Sequence, residues 1–383
     1  MKIMQFVIFF SIFFIIYGLV NYYIFIRGWQ ALPQHSKMRI PYLVVFLLIS
    51  LSFIAGRIIE RFWLGTFSKT VVFIGAFWLG AMLYFFLIVL ILDIARFVNH
   101  FLPYIHHLSA DYAKVKLTGF YLAIGTVAVV LIAGHFNALY PRVRQFDIHI
   151  PKQSDVKQLK AVAATDIHLG TIIGRDRFCS IVNKINELEP DIVLLGGDIV
   201  DEDLKPVIQE NLGDAVTQIK TKYGIYAITG NHEYIGGVEA AVKYMEDHNV
   251  RVLQDEALIL NESIYLVGRE DISIDRFTDK KRKSLAEIMQ NVDKSRPVLL
   301  MDHQPFNLNQ AIENGIDFQL SGHTHHGQLF PLNLVTKAIY EISWGYRKIQ
   351  NTQFYVSCGV GTWGPPMRIG NRPELVVFNF SFE

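Results

Sequence analysis

Two long stretches without a charged side chain constrain this sequence most. Residues 4–26 and 70–92 each run for 23 positions without Asp, Glu, Lys or Arg and are mainly apolar. A helix of about 20 apolar residues crosses the roughly 30 Å hydrocarbon core of a bilayer. Two shorter uncharged runs, 40–56 and 117–134, contain 17 and 18 residues and reach the lower limit for a span. We therefore predict about four transmembrane helices.

The charge balance divides the chain in two. The first 140 residues contain 10 Lys and Arg against 3 Asp and Glu, a net charge of +7, and the remaining 243 contain 26 against 32, a net charge of −6. A cleaved signal peptide is the alternative for the first run, but that run is too long and no small-x-small cleavage site follows it. We predict a transmembrane domain over 1–140 and a second domain over 145–383.

The basic residues that flank the four runs bear on orientation. With the N-terminus in the cytoplasm, seven Lys and Arg lie on the cytoplasmic side and six on the opposite side. By this one-residue difference, the positive-inside rule favours a multi-pass protein of the inner or plasma membrane with a cytoplasmic second domain.

Short apolar runs alternate with amphipathic stretches after residue 145. The segment 145–151 alternates apolar and polar residues, as a half-buried strand does. Buried strands that end in a polar residue or Gly are predicted at 159–166, 191–198, 223–231, 296–303 and 317–323. In 177–188 and 237–249 apolar residues recur every three or four positions, as in a helix packed on a core. This alternation predicts an α/β sandwich.

Side chains with metal-binding chemistry stand at the ends of these five strands. They are Asp166, His168, Asp198, Asn231, His232, His303, His323 and His325. Taken singly, each has an ordinary structural explanation, such as an Asp that caps a turn or a hydrogen-bonded core His. Together they supply carboxylate, amide and imidazole groups at the sheet edge where α/β folds bind ligands, a set that Mn, Fe and Zn accept.

The same residues form the motifs of a known superfamily. The sequence contains DIH at 166–168, GDIVD at 197–201, GNHE at 230–233, His303, and GHTH at 322–325. These motifs resemble those of the calcineurin-like metallophosphoesterase superfamily, and the resemblance covers roughly residues 145–383. It implies an α/β fold, a four-layer αββα sandwich preceded by about four transmembrane helices, and a hydrolase acting on ester or anhydride bonds of phosphate.

The resemblance also implies two divalent metal ions as cofactors. One would be held by Asp166, His168, Asp198 and His325, and the other by Asp198, Asn231, His303 and His323, so that Asp198 bridges them. Mn is the expected metal, with Fe and Zn as alternatives. Such a pair of ions activates water at neutral pH for attack on phosphorus.

Four other residues receive roles beside the metal ligands. His232 is the expected catalytic general acid for the leaving oxygen. Asp201 is expected to orient a neighbouring side chain, with a structural role at a helix start as the alternative. Glu233 is a candidate for a similar supporting role, or an ordinary first-turn acid. Arg368 is a candidate phosphate contact, since a guanidinium matches phosphate geometry, with a surface salt bridge as the alternative.

The C-terminal stretch 357–378 resembles the membrane-linked branch of the superfamily. That branch includes transmembrane proteins with a metallophosphoesterase domain and pyrophosphatases that cleave UDP-2,3-diacylglucosamine. The expected partner is therefore a phosphorylated, lipid-linked small molecule whose acyl chains stay in the membrane while its head group reaches the metals. Cleavage of UDP-2,3-diacylglucosamine in lipid A biosynthesis is the most specific form of this hypothesis.

Two other functions are alternatives. One is a transport or signalling membrane protein with a metal-sensing, non-catalytic domain. The other is a nuclease, which is disfavoured because the second domain is net −6 and lacks a basic stripe interleaved with aromatic residues. No nucleic-acid partner is expected.

The segment 321–330, SGHTHHGQLF, contains a third histidine that receives no ligand role. His326 is predicted to be a bystander or to contact substrate. Gly322 and Gly327 are predicted to let the backbone approach the crowded centre.

Overall fold

The computed structural model describes residues 2–101 and 112–383, which form two compact units. One unit contains the residues up to His135 together with Gly364–Pro366, and the other contains Phe136–Trp363 and Met367–Glu383. The two units are described separately below.

Long apolar helices build the first unit. They are α1 (Lys2–Ala31), α2 (Arg39–Phe62), α3 (Thr66–Phe101) and α4 (Tyr112–Leu139). Within the described residues all four are long and apolar enough to cross a membrane, the shortest qualifying stretch being Ser11–Ala31 with 21 residues. The uncharged run 40–56 is part of a longer helix, since α2 continues beyond it to Phe62. In this last part of the helix Arg57 pairs with Glu60 at 3.2 Å.

The second unit contains the remaining strands and helices. The strands are β1 (Arg142–Ile150), β2 (Gln158–Ala164), β3 (Ile192–Gly196), β4 (Ile225–Ile228), β5 (Val250–Val252), β6 (Glu256–Leu260), β7 (Ile264–Gly268), β8 (Val298–Met301), β9 (Phe318–Ser321), β10 (Gly345–Ile349), β11 (Thr352–Val356) and β12 (Glu374–Phe382). The helices are α5 (Arg175–Glu187), α6 (Leu204–Gln209), α7 (Leu212–Val216), α8 (Asn231–Gly236), α9 (Val238–Glu246), α10 (Ile274–Phe277), α11 (Leu285–Ile288), α12 (Asn309–Glu313) and α13 (Leu332–Ile339). Each strand and helix predicted from the sequence is present.

Two sheets of six strands pack face to face in this unit. The first has the order β1-β12-β2-β3-β4-β5 and the second β10-β11-β9-β8-β7-β6. Strands β2, β3 and β4 are parallel neighbours in the first sheet, and β7, β8, β9 and β11 are parallel neighbours in the second. Leu194 and Phe378 of the first sheet and Met301 and Phe318 of the second belong to one buried core between them.

Helices cover the outer faces of both sheets. Helix α5 connects the parallel strands β2 and β3 and buries Phe178, Ile181, Val182 and Ile185. On the second sheet, residues of α11 and α12 join Val298 and Leu300 in a separate buried cluster. The layers are therefore helix, sheet, sheet, helix, which confirms the predicted fold class. Because parallel strands end at the same edge, the carboxyl ends of both sheets meet at one end of the sandwich.

Candidate metal centre

The loops that follow β2, β3 and β9 turn sharply at the candidate ligands. Asp166, His168, Asp198, His323 and His325 have φ values of 53°, 55°, 50°, 68° and 45°, in the left-handed region that residues with a Cβ seldom adopt. Such conformations persist only where the surrounding structure holds them, and they cluster at functional sites. The backbone of these loops is thus shaped to aim their side chains at one place.

The first group of candidate ligands joins both sheets. Asp166, His168 and His325 are buried, and one donor atom of each lies within 4.8 Å of the others. The Nε2 atoms of His168 and His325 are 3.0 Å apart, and His325 Nε2 is 3.6 Å from Asp166 Oδ1. Asp166 and His168 follow β2 of the first sheet, whereas His325 follows β9 of the second.

The second group contains Asp198, His303 and His323, whose donor atoms also lie within 4.8 Å of one another. His303 Nδ1 is 2.8 Å from the carbonyl oxygen of Gly196, which only accepts hydrogen bonds. Nδ1 therefore carries the proton, and in the neutral ring the lone pair of Nε2 is available to a metal. This Nε2 atom is 3.1 Å from Asp198 Oδ2.

Asp198 lies within reach of both groups. Its Oδ2 atom is 4.0 Å from His168 Nε2 as well as 3.1 Å from His303 Nε2. Its other oxygen, Oδ1, accepts a hydrogen bond of 2.8 Å from the backbone nitrogen of His232. Asp198 is therefore the carboxylate that connects the two groups of candidate ligands.

Unpaired buried acceptors indicate that the site fits cations. Among residues 2–101 and 112–383, nothing donates a hydrogen bond to the buried Asp166 Oδ2 or Asn231 Oδ1. Buried oxygens without a partner are uncommon in folded proteins, because their desolvation is left uncompensated. A divalent ion at each of these oxygens would compensate their desolvation, and the surrounding carboxylate, amide and imidazole donors suit such ions.

Two of the buried histidines, His323 and His325, are neutral. Burial, reinforced by the positive charge of His303, lowers the pKa of His323 to about 3, and burial beside Arg368 lowers the pKa of His325 well below its usual range. Both rings are therefore neutral, the form that binds metal.

Asp198 and His303 form a buried ion pair, with a negative carboxylate and a protonated imidazole. Burial would raise the pKa of Asp198, but His303 and His232 hold it well below its usual value. Burial likewise disfavours a charged His303 ring, but the negative charges of Asp198 and Asp166 raise its pKa well above normal. A metal ion that binds His303 must therefore displace a proton.

His232 and Asp201 form a pair beside these groups. His232 Nδ1 is 3.0 Å from Asp201 Oδ1, and the His232 ring is 4.6 Å from that of His168. Burial opposes a positive charge on His232, but the negative charges of Asp198 and Asp201 raise its pKa to about 9. The imidazole is therefore protonated at neutral pH, as a general acid has to be.

Glu233 organises the loops rather than facing the groups. Its carboxylate accepts hydrogen bonds from the backbone nitrogens of Asp198, Ile199, Val200 and Gly230, at 2.7 to 3.1 Å. The residue is buried, and these four bonds join the loop after β3 to the loop after β4. Both oxygens of Glu233 are therefore occupied by backbone hydrogen bonds, which gives this residue a supporting role.

Arg368 lies elsewhere than expected. The residue is fully buried, so it is neither a surface salt bridge nor an open phosphate contact. Its guanidinium donates to the carbonyl oxygens of His325 at 3.0 Å and Gly361 at 2.7 Å, and Nη2 is 3.1 Å from His325 Nδ1. The guanidinium thus contacts both the backbone and the ring of His325, and we assign Arg368 to the positioning of His325.

The other positions of the 321–330 segment also have defined surroundings. His326 is buried with Nδ1 2.7 Å from Ser343 Oγ, and its ring packs 5.1 Å from that of Trp344. Gly327 has a φ of 73°, and a Cβ at Gly322 would collide with the side chains of Thr165 and Asp166. Both glycines therefore allow the close approach expected of them.

Sequence reasoning missed two residues near the groups. Asp271, which follows the unpredicted strand β7, is buried and accepts hydrogen bonds of 2.9 and 3.0 Å from Gln304 Nε2. Trp363 is exposed, and its ring centre is 5.8 Å from that of His232. The rule that polar residues at strand ends form the site would have found Asp271 had 264–268 been recognised as a strand. No local pattern marks Trp363.

Known proteins share this sequence pattern. The family profile described as Calcineurin-like phosphoesterase matches residues 159–327. A Helicobacter pylori protein titled uncharacterized metallophosphoesterase is 31% identical over 281 residues, 72% of each chain. A Campylobacter jejuni metallophosphoesterase is 30% identical over 381 residues, 98% of this chain and 99% of its own.

A vertebrate relative bears on the apolar helices. A Danio rerio protein named transmembrane protein with metallophosphoesterase domain is 31% identical over 270 residues, 66% of this chain and 61% of its own. With the four helices able to cross a membrane, this supports membrane association of the present chain. A phosphorylated substrate and divalent metals follow from the phosphoesterase domain. The chain is a phosphoester hydrolase that belongs to the calcineurin-like metallophosphoesterases.

Proposed function

We propose that this chain is a multi-pass membrane enzyme that uses two divalent ions to hydrolyse a phosphoester or pyrophosphate bond of a lipid-linked substrate. The supporting observation is that two groups of candidate ligands adjoin through Asp198, beside the Asp201–His232 pair. Asp166, His168, Asp198 and His325 would hold one ion, and Asp198, Asn231, His303 and His323 the other. Mn is the first choice of metal, with Fe and Zn as alternatives.

In this proposal the ions would activate the attacking water and the protein would protonate the leaving group. When bound, two such ions activate water for attack on phosphorus and neutralise charge on the phosphate oxygens. His232 would donate a proton to the leaving oxygen, because Asp201 holds Nδ1 and leaves Nε2 as the other proton-carrying nitrogen. Glu233 would keep the Asp198 and Asn231 loops in register through its backbone hydrogen bonds.

The proposed substrate class follows from the apolar helices. A substrate whose acyl chains lie in the bilayer would bring its phosphate to an enzyme anchored in the same bilayer. UDP-2,3-diacylglucosamine is the most specific candidate, and it requires a catalytic domain on the cytoplasmic side. A topology reporter fused after Glu383 tests this point, and an outward location of the reporter would exclude that substrate.

Hydrolysis by the purified full-length protein is the direct test. With Mn²⁺ we expect cleavage of an aryl phosphate ester and of UDP-2,3-diacylglucosamine, and loss of both activities with a chelator. Asp198→Asn should abolish both, whereas Asp214→Asn, an exposed Asp between the motifs at 197–201 and 230–233, should have no effect. Metal binding without hydrolysis of any phosphoester would instead favour the alternative of a metal-sensing transport or signalling protein.

A further inference from the structure

Helix α13 exposes a continuous apolar surface. Its eight residues include none that is buried, and Leu332, Leu334, Val335 and Ile339 are 39, 58, 53 and 57% exposed. At 100° per residue these four side chains fall within about half of the helix circumference. Single exposed apolar residues are ordinary, but a continuous group marks a surface that binds something apolar. We call these four residues the apolar ridge.

Both ends of the apolar ridge are tied to the candidate metal centre. Helix α13 packs against the short turn His325–Gly327, which carries a candidate ligand. Tyr340 follows the helix directly, and its ring centre is 6.1 Å from that of the candidate ligand His323. The ridge thus borders the centre and is held by the loop that supplies two of its histidines.

Residues 368–371 contact both the end of helix α4 and the loop that carries His325. Near the end of α4, the Asn137 amide donates to the carbonyl oxygens of Arg368 at 2.9 Å and Asn371 at 2.7 Å. Asn371 in turn donates to the carbonyl oxygen of His325 at 2.6 Å, and Ile369 accepts from the backbone nitrogen of Phe330 at 2.7 Å. All of these residues belong to the second unit. One short segment, 368–371, therefore joins the end of α4 to the start of the α13 region.

Positive charges outnumber negative ones in the segment that carries the apolar ridge. Lys337 on α13 and Arg347 and Lys348 on β10 are exposed, and residues 330–350 contain only Glu341 as an acid, so that this segment is +2. The rest of the second domain is acidic overall. Apolar side chains bordered by Lys and Arg are the composition of surfaces that lie in the interface of anionic membranes.

We propose that the apolar ridge inserts into the lipid–water interface of the membrane that anchors the chain, with Lys337, Arg347 and Lys348 beside anionic head groups. The continuity from α4 through 368–371 to α13 and the charge of the flanking residues favour a lipid surface over a second copy of the chain. The inference goes beyond the hydrolytic function and does not depend on it.

Depth-dependent fluorescence quenching tests the proposal. The full-length protein, with Cys179→Ser to remove the partly exposed thiol, would carry Leu334→Cys labelled with an environment-sensitive dye, in vesicles of phosphatidylethanolamine and phosphatidylglycerol. Cys358 is buried and stays unlabelled. The matched control is Ile259→Cys on the edge strand β6, which is 44% exposed. We expect several-fold stronger quenching by acyl-chain nitroxides at Leu334 than at Ile259, with blue-shifted emission.

Two outcomes would overturn the proposal. Equal, weak lipid quenching at both positions would place the apolar ridge in water. A blue shift at Leu334 that depends on the protein-to-lipid ratio and resists lipid nitroxides would indicate a second copy of the chain. A charge-reversed double variant tests the part of the cations. Lys337→Glu with Arg347→Glu should lower quenching at Leu334 in anionic vesicles and leave it unchanged in phosphatidylcholine. Equal quenching of the parent and the double variant in both kinds of vesicle would exclude a role for these cations.

Discussion

Asp201 shows how one carboxylate sets the proton affinity of its neighbour. It holds Nδ1 of His232 at 3.0 Å and lies 3.7 Å from Nδ1 of His168, so it touches a candidate acid and a candidate ligand. Its negative charge favours the protonated form of His232. Its contribution is therefore visible in the pH dependence of the reaction as well as in its rate.

Replacing Asp201 by Asn should shift that pH dependence. A general acid is active in its protonated form, so activity falls as pH rises through the pKa of His232, which the negative charges of Asp198 and Asp201 raise. Asn removes a negative charge, lowers this pKa, and moves the alkaline limb of kcat/KM to lower pH. The loss at neutral pH should stay within the about 10²–10⁴-fold that a general acid contributes. A lower rate with an unmoved alkaline limb would show that Asp201 is only structural.

Alanine variants of the three histidines in the 321–330 segment should differ in the amount of metal that they bind. His326→Ala should retain bound Mn²⁺, since its ring packs on Ser343 and Trp344. His323→Ala and His325→Ala should each lose affinity, because each ring belongs to a different group of candidate ligands. Metal content by mass spectrometry after gel filtration measures this. Loss of both ions from His326→Ala would contradict the assignment.

The Glu233 side chain joins two of the connecting loops. Glu233, in the first turn of α8, binds the backbone nitrogens that precede and follow the turn at Asp198. The ends of β3 and β4 are therefore fixed together, although the strands themselves already pair. The loop after β3 is also joined to the loop after β2, since the backbone nitrogen of His168 donates to the carbonyl oxygen of Asp198 at 3.0 Å. Glu233 adds the connection to the loop after β4.

Glu233→Gln should loosen these loops without disrupting the sheets. Each carboxylate oxygen accepts two of the four hydrogen bonds. The amide keeps one acceptor oxygen but turns a donor towards backbone N–H groups, so two of these bonds are lost, at about 1–3 kcal/mol each. We expect a lower unfolding temperature and weaker Mn²⁺ binding. Glu239→Gln, an exposed first-turn acid of α9, is the control and should change neither. Unchanged metal affinity in Glu233→Gln would show that the loops are held by other contacts.

The candidate ligands join the two sheets of the sandwich. Each group combines residues that follow strands of the first sheet with residues that follow strands of the second. Ions bound there bind only the folded protein, because the separate loops meet only after both sheets have packed. Metal binding and folding are therefore linked.

Removing the metal should lower thermal stability. A ligand that binds only the native state at 100 times its Kd adds about 2.7 kcal/mol to stability. We expect a chelator to lower the unfolding temperature of the full-length protein in detergent and added Mn²⁺ to restore it. His303→Ala should start lower and respond much less to either. An equal response of the variant to Mn²⁺ would indicate that the stabilising ion binds elsewhere.

The sequence predicts the parts of this molecule that have a local pattern. The apolar runs and the polar residues that end them place Asp166, Asp198 and His303 at the sheet edge, because a parallel α/β sheet leaves little choice of where such residues gather. The role of Arg368 is not predictable in this way, since its partners are backbone carbonyls that carry no residue identity. The stripe of α13 has the period of a core-facing helix, and only the structure shows that it is exposed.

Only Tyr140 and Pro141 separate the end of α4 from the start of β1. Three residue steps of extended chain reach about 10 Å. In a chain anchored as proposed, the first strand of the phosphoesterase domain would therefore begin within that distance of the last residue of the helix. If the substrate is lipid-linked as proposed, enzyme and substrate would meet by a search over an area instead of a volume. The short connection would then raise the effective concentration of each reactant for the other, as tethering does between two linked binding modules.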